Sequence, residues 1–261
     1  AGSTLSPVSD EILDGLGDRT NSTSDYTMAI PESQDVLQDT LRVATIDGIA
    51  TVADLSTALA GIYTVEATRG DLPVAVSDEF TVSAATATTL AFIEEPLDAE
   101  AGASIGTVSL EILDDYGNRV SSGENVTVKL NDDFQTGAQL SGILTVAAIE
   151  GVATFTGLSI DIVGTYKLEA GSGSLPAVES TSFNISSATA SDLAFVEQPS
   201  DAEAGTSIGT VSVEIRDDFG NRVFSSADVS LDIYNSPVVL SGTTTIAAID
   251  GLATFSDLSV D

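Results

Sequence analysis

The sequence predicts an all-β protein made of tandem antiparallel β-sandwiches, and three observations predict it. Long stretches of the chain recur, the hydrophobic period is two, and turn-forming residues punctuate it at short intervals. Leu90 begins LAFIEEPLDAEAGASIGTVSLEILDDYGNRV, and Leu193 begins LAFVEQPSDAEAGTSIGTVSVEIRDDFGNRV. Repetition on this scale marks units that each bury their own core and stack on their neighbours.

Other pieces extend the repeat. AAIEGVATFTGLSID (147–161) matches AAIDGLATFSDLSVD (247–261), and both resemble ATIDGIATVADLS (44–56). GIYTVEATRGDLPVAVSDEFTVSAATATT (61–89) aligns with GTYKLEAGSGSLPAVESTSFNISSATASD (164–192). The chain therefore divides into residues 1–89, a repeat lacking its first strand; residues 90–192, a complete repeat; and residues 193–261, a repeat lacking its last strands. The partial copies are expected either to continue in a longer array or to be completed by strands of neighbouring molecules.

Within the complete repeat each element follows from its residues. LAFIE predicts a strand over 90–94. Thr107-Val-Ser-Leu-Glu-Ile-Leu alternates apolar and polar residues and predicts a strand over 106–113. The turn DDYGNRV follows, then Val126-Thr-Val-Lys-Leu within a strand over 124–130. A strand over 139–148 meets one over 152–158 at Glu150-Gly151, where glycine supplies the positive φ of a tight hairpin. Asp47-Gly48 and Asp250-Gly251 hold the same place in the other copies. Tyr166-Lys-Leu-Glu-Ala lies in a strand over 164–170, and the last strand covers 179–186. About seven short strands per hundred residues indicate an Ig-like β-sandwich, and Tyr63 and Tyr166 occupy the place of its tyrosine corner.

The order D-x-x-G-N-R-V, then D-G-x-A-T-F-x-x-L, then G-x-Y-x-L-x-A resembles the bacterial Ig-like repeats of extracellular surface proteins, the invasin and intimin type among them. The resemblance covers nearly the whole chain. It implies tandem Ig-like arrays that serve as stalks, and an extracellular or cell-surface setting; it supplies no binding residues.

Composition limits the chemistry. The 261 residues include no Cys, His or Trp, so Ser-His-Asp and Cys-His nucleophilic sites and thiolate or imidazole zinc sites cannot be assembled. No enzyme is expected. Forty acidic against eight basic residues give a net charge of −32, which repels nucleic acid and anionic lipid. Such a surface suits high salt or abundant divalent cations. No run of apolar residues is long enough for a membrane-spanning helix, so no membrane insertion is expected. Sequons at Asn21, Asn125 and Asn184 permit glycosylation, and an isopeptide crosslink at Lys167 is disfavoured because Thr64 replaces it in the first copy.

The recurring turn carries the candidate site. In DDYGNRV and DDFGNRV an aspartate accepts backbone N–H groups, Gly117 and Gly220 (with Gly17 in the first copy) take a positive φ, and Asn118 and Asn221 close the turn. Arg19, Arg119 and Arg222 are expected to pair with a nearby carboxylate, an exposed pair worth about 0.2–1 kcal/mol. A second reading is calcium. The connection between the second and third strands faces the preceding unit, so Asp217 and Asp218 would face Asp98, Glu100 and Asp161, with Asp114 and Asp115 in the equivalent place near Asp54. Oxygens from two units could then supply the six to eight that calcium takes.

Three functions are compatible with these features. The first is a structural segment of a large extracellular or surface protein, a stalk, coat or spacer, whose partners are flanking repeats. The second is a filament subunit joined to neighbouring copies of itself by strand complementation. The third is an adhesin module for a surface glycan or cell-surface receptor, with Phe134, Phe224 and Tyr234 as the aromatic candidates. The linkers SAATATT (83–89) and SSATASD (186–192) lack Pro and Gly and predict a stiff string of units.

Overall fold

The computed structural model describes residues 1–29, 42–53, 55–70, 72–131, 137–234 and 236–260; Asp54 and Phe134 lie outside them. Among the described residues every regular element is a strand, and the buried apolar side chains form three separate clusters in chain order.

In the complete repeat one sheet runs Val152–Phe155, Val108–Leu113, Thr89–Glu94, all antiparallel. Facing it are Thr145–Ala147, Asn125–Leu130, Leu168–Gly171 and Val178–Glu179, and a short sheet of Ala99–Glu100, Phe183–Ser186 and Gly164–Tyr166. Leu110, Ile112 and Phe155 from the first sheet pack with Val126, Val128 and Leu168 from the four-stranded sheet and with Tyr166 and Phe183 from the short one in a single cluster. Fully burying each of these large side chains is worth roughly 1.5–3 kcal/mol, which is how a repeat without disulfides holds itself together.

The strands expected from periodicity are present, the first as Thr89–Glu94, and several of the others are shortened or split for a local reason. The second begins at Val108 rather than 106, because Gly106 has φ +88°. The expected strand over 139–148 shrinks to Thr145–Ala147, because Gly142 bends at φ +112°, where a Cβ would lie 2.9 Å from the Gly157 carbonyl oxygen. The sixth changes sheets at Lys167, splitting into Gly164–Tyr166 and Leu168–Gly171. The last is interrupted at buried Ser180, whose Oγ accepts the Leu168 N–H at 2.8 Å; Ser77 does the same for Val65 at 2.9 Å.

The three hairpins share one turn. Asp47, Glu150 and Asp250 have φ of 50°, 50° and 48°, and the glycine after each is also positive, a type I′ pair whose twist suits the strands. Lys167, the disfavoured crosslink site, instead pairs with Glu179 at 3.0 Å.

Repeat 1 builds the same framework from Val8–Glu11 on Ile49–Val52, from Arg42–Ala44, Asp25–Ala29, Glu66–Thr68 and Ala75–Val76, and from Gly61–Tyr63 on Phe80–Val82. Its core departs in one respect. Asp10 and Tyr26 stand where the complete repeat has Leu110 and Val126, both 0 % exposed. Burial first, and then the neighbouring Asp10 carboxylate, push the Tyr26 phenol up to about 12. In repeat 3, Asp192–Glu197, Val211–Arg216 and Leu252–Phe255 form a sheet over a core that includes Val211, Val213, Ala253 and Phe255.

Candidate functional site at the repeat junctions

The DDYGNRV turn lies between the second and third strands of its repeat and touches the repeat before it. Within the turn, Asp114 Oδ1 accepts the N–H groups of Tyr116 and Asn118, both at 2.9 Å, and Gly117 takes φ +79°. Asp114 Oδ2 accepts the Asn118 amide at 3.0 Å and the N–H of Ala85, in the linker, at 2.7 Å. Asn118 then reaches into repeat 1. Its Nδ2 donates to the Ala58 carbonyl at 2.7 Å, and its Oδ1 accepts the Ala60 N–H at 2.9 Å.

The next junction repeats this bond for bond. Asp217 accepts the N–H groups of Phe219 at 3.0 Å, Asn221 at 2.8 Å and the linker's Ala188 at 2.9 Å. Asn221 Nδ2 donates to the Asp161 carbonyl at 2.7 Å, and its Oδ1 accepts the Val163 N–H at 3.1 Å. An amide side chain satisfies both a backbone donor and a backbone acceptor of the neighbouring repeat, which neither a carboxylate nor a cation can do.

The loop gripped by each asparagine is itself held. Tyr63 Oη donates to the Leu59 carbonyl at 3.1 Å, and Tyr166 Oη to the Ile162 carbonyl at 2.9 Å. Those residues sit between the pairs that Asn118 and Asn221 contact, so the tyrosine corner fixes the loop and the asparagine latches onto it. Burial, and after it the charge of Asp161, raise the Tyr166 phenol, which keeps its proton available for donation. The linkers are tied as well: the Thr88 N–H donates to Leu113 O, and the Ser191 N–H to Arg216 O, both at 2.8 Å.

A third contact went unread in the sequence. Tyr116 lies over Gly2 and Phe219 over Gly102, so closely that a Cβ on either glycine would sit 2.0 or 2.2 Å from the ring. Both glycines have positive φ, +73° and +76°. The signal was present as an Ala-Gly pair recurring at 1–2 and 101–102, matched by an aromatic in the next turn. Leu16 holds the aromatic's place in repeat 1 and is 90 % exposed.

Burial opposes ionisation of Asp114, but the Asn118 amide and the N–H groups of Ala85, Asn118 and Tyr116 outweigh it and hold the carboxyl at about 2. Asp217 is lowered by the same balance: burial raises it, while Asn221 and the N–H groups of Ala188, Asn221 and Phe219 lower it further. In repeat 1 the N–H groups of Asp18 and Leu16 lower exposed Asp14. The arginines pair locally, Arg19 with Glu11 at 2.8 Å, Arg119 with Glu111 at 3.1 Å and Arg222 with Glu214 at 3.7 Å.

The carboxylates considered for calcium are not brought together. Four N–H donors occupy the lone pairs of Asp114, counting Ala85, Tyr116 and the main and side chains of Asn118. Asp98 accepts the Asn184 N–H of its own repeat at 2.6 Å, Glu100 pairs through its backbone with Ser186, and Asp161 contributes its carbonyl to Asn221. Asp115 and Asp218 stay exposed. Among the described residues no group of three or more acidic side chains could hold a metal ion. Among the described residues, those at the junctions form a hydrogen-bonded latch and bring no set of carboxylates together as a calcium cage.

No protein-family model matches the sequence, and no curated protein does. Among solved structures, the chain is similar over its full length to FdeC, an Escherichia coli adhesin, with 19 % identity and a TM-score of 0.43, covering 78 % of that chain. It is similar over 97 % of its length to InvD of Yersinia pseudotuberculosis, with 14 % identity and a TM-score of 0.42, covering 78 % of that chain. The D0–D1 domain of intimin aligns with 69 % of this chain and 88 % of its own, at 18 % identity and a TM-score of 0.29.

Proposed function

We propose that this chain is a structural segment of an extracellular or cell-surface protein, one that extends and spaces by holding its repeats in a fixed line. The observation that supports the reading is the latch repeated at both junctions: one aspartate ties the linker, one asparagine ties the neighbouring loop, and one aromatic ring covers a glycine. Two repeats joined only by a tether would not need the same three contacts twice. The partners of the segment are flanking repeats of its own kind. It performs no chemistry, in keeping with a chain free of Cys and His.

Residual dipolar couplings on the 261-residue chain test the proposal. The expected result is a single alignment tensor shared by residues on both sides of each junction. Replacing Asn118 and Asn221 by Ala should then separate the tensors while each repeat keeps its own dispersed spectrum. Independent tensors in the unmodified chain would refute a stiff stack.

A further inference from the structure

The complete repeat carries a small cleft whose polar lining is not used by the junction latch. Ser122 and Glu124, just before Asn125–Leu130, line it together with Ser172 and Ser174, in the loop after Leu168–Gly171. Ile112 and Leu175 give it an apolar part, and its volume is about 260 Å³. That is below the roughly 300–1,000 Å³ of a drug-sized pocket and suits one side chain.

The lining is rich in free acceptors on a fixed frame. Ser172 is 6 % exposed, and its hydroxyl has no hydrogen-bond partner among the described residues. The Glu124 carboxylate and the Ser174 hydroxyl have none there either. The backbone around them is tied: the Glu124 N–H donates to Ser122 Oγ at 3.1 Å, the Ala148 N–H to Glu124 O at 2.9 Å and the Leu175 N–H to Ser172 O at 2.9 Å. A carboxylate and hydroxyls beside apolar side chains, in a chain of net charge −32, suit a cation on a methylene stem.

Repeat 1 shows which cation. Arg69 stands there where the complete repeat has Ser172, and Ser24 stands where it has Glu124. Arg69 lies near the buried Tyr26 phenol; burial and then Asp10 push that phenol up, and the Arg69 charge opposes them. Repeat 1 thus supplies its own guanidinium at this place. The complete repeat supplies Glu124 and leaves the guanidinium out.

We propose that this cleft binds an alkyl guanidinium, the arginine side chain of a partner protein, as the counterpart of Arg69. A guanidinium has five donors and no acceptor, so carboxylate and hydroxyl oxygens are the partners it needs. Its planar fork matches the Glu124 carboxylate, Ser172 and Ser174 take further N–H groups, and the methylenes lie along Ile112 and Leu175. The site adds recognition to a segment that extends and spaces; its loss would leave the stack of repeats intact.

The test is an NMR titration of the full 261-residue chain at about 0.15 M salt, where screening beyond ~8 Å limits diffuse attraction. The probes are N-acetyl-arginine methylamide, its lysine analogue and its uncharged citrulline analogue, with butylguanidine as a free guanidinium. The arginine probe is expected to shift the amides of residues 122–124 and 172–175 in one saturable transition. The lysine probe should bind more weakly, and the citrulline probe more weakly still. Glu124→Gln should weaken the arginine probe about three- to fivefold, as loss of an exposed ion pair does. Ser172→Arg, which places repeat 1's residue in the cleft, should abolish the transition, and Glu124→Gln keeps the test decisive if that variant misfolds. Shifts that spread over the acidic surface without saturating would overturn the proposal. So would equal binding of the lysine probe, or no effect of Glu124→Gln. Binding of butylguanidine without the arginine probe would overturn it as well, because the cleft would then admit only a free small cation.

Discussion

At the scale of single residues, the junction depends on the difference between an amide and a carboxylate. Asn118 donates to Ala58 O, accepts from Ala60 N–H and donates to Asp114, and only an amide can do all three. Asn118→Asp removes both donations and sets two carboxylates against each other. It should cost roughly 2–3 kcal/mol, measured by denaturant unfolding of the full chain, whereas the same change at exposed Asp115→Asn should be close to neutral. Repeat 1 already holds Asp18 at this position, and there the Asp14 carboxylate accepts the Leu16 and Asp18 N–H groups with no side-chain amide beside it. The latch also has an acid limit. Asp114 is depressed to about 2 in the folded state, against an ordinary value of about 3.9 when unfolded. A depressed carboxyl contributes stability that is full above about pH 4 and is lost as pH falls toward 2. A carboxyl carbon titration by NMR should show Asp114 still ionised at pH 3, and a midpoint near 4 would contradict the hydrogen bonding described.

At the scale of elements, hairpin, tyrosine corner and turn work as one assembly. The glycine of each hairpin tucks beneath the turn that follows the second strand: a Cβ on Gly48, Gly151 or Gly251 would lie 1.9, 2.1 or 2.0 Å from the carbonyl of Thr20, Val120 or Val223. Backbone cannot move aside as a flexible side chain can, and φ at these positions is already left-handed. Gly151→Ala should therefore destabilise repeat 2 by more than about 2 kcal/mol, read from thermal or denaturant melts, while Gly171→Ala, with open space around it, should fall within about 0.5 kcal/mol. Tyr166→Phe is expected to lower stability by about 1 kcal/mol and, more tellingly, to increase exchange at the Val163 amide, because the phenol holds the loop that Asn221 grips.

At the scale of the whole molecule, the net charge of −32 works against compactness, and the seven ion pairs found among the described residues are exposed or half-exposed and offset little of it. Screening should help. Raising sodium chloride from about 0.05 to 1 M shortens the screening length to ~3 Å and is expected to raise the melting temperature by several degrees. A chelator should leave it unchanged at constant ionic strength, since the junction oxygens are filled by N–H donors; a fall in melting temperature on chelation would reinstate a bound cation.

Much of this was legible before any coordinates. Period-two alternation, Asp-Gly and Glu-Gly hairpins and the placing of Tyr63 and Tyr166 specify a sandwich because they are local: each depends on the geometry of a few consecutive residues. The recurrence of Asp114, Gly117 and Asn118 as Asp217, Gly220 and Asn221 marked the turn as structural for the same reason. What stood outside the sequence was partnership. That Asn118 meets Ala58, that Tyr116 covers Gly2, and that Asp98 accepts the Asn184 N–H of its own repeat are contacts between residues far apart in the chain. Only the packed structure sets those distances. Acidic residues alternating along a strand look equally able to converge or to diverge until the sheets are placed. The sequence by itself determined the unit and its turns; the tertiary structure decided that the seam between units is closed by amides and aromatic rings, because a carboxylate already surrounded by four N–H donors has no lone pair left for a metal.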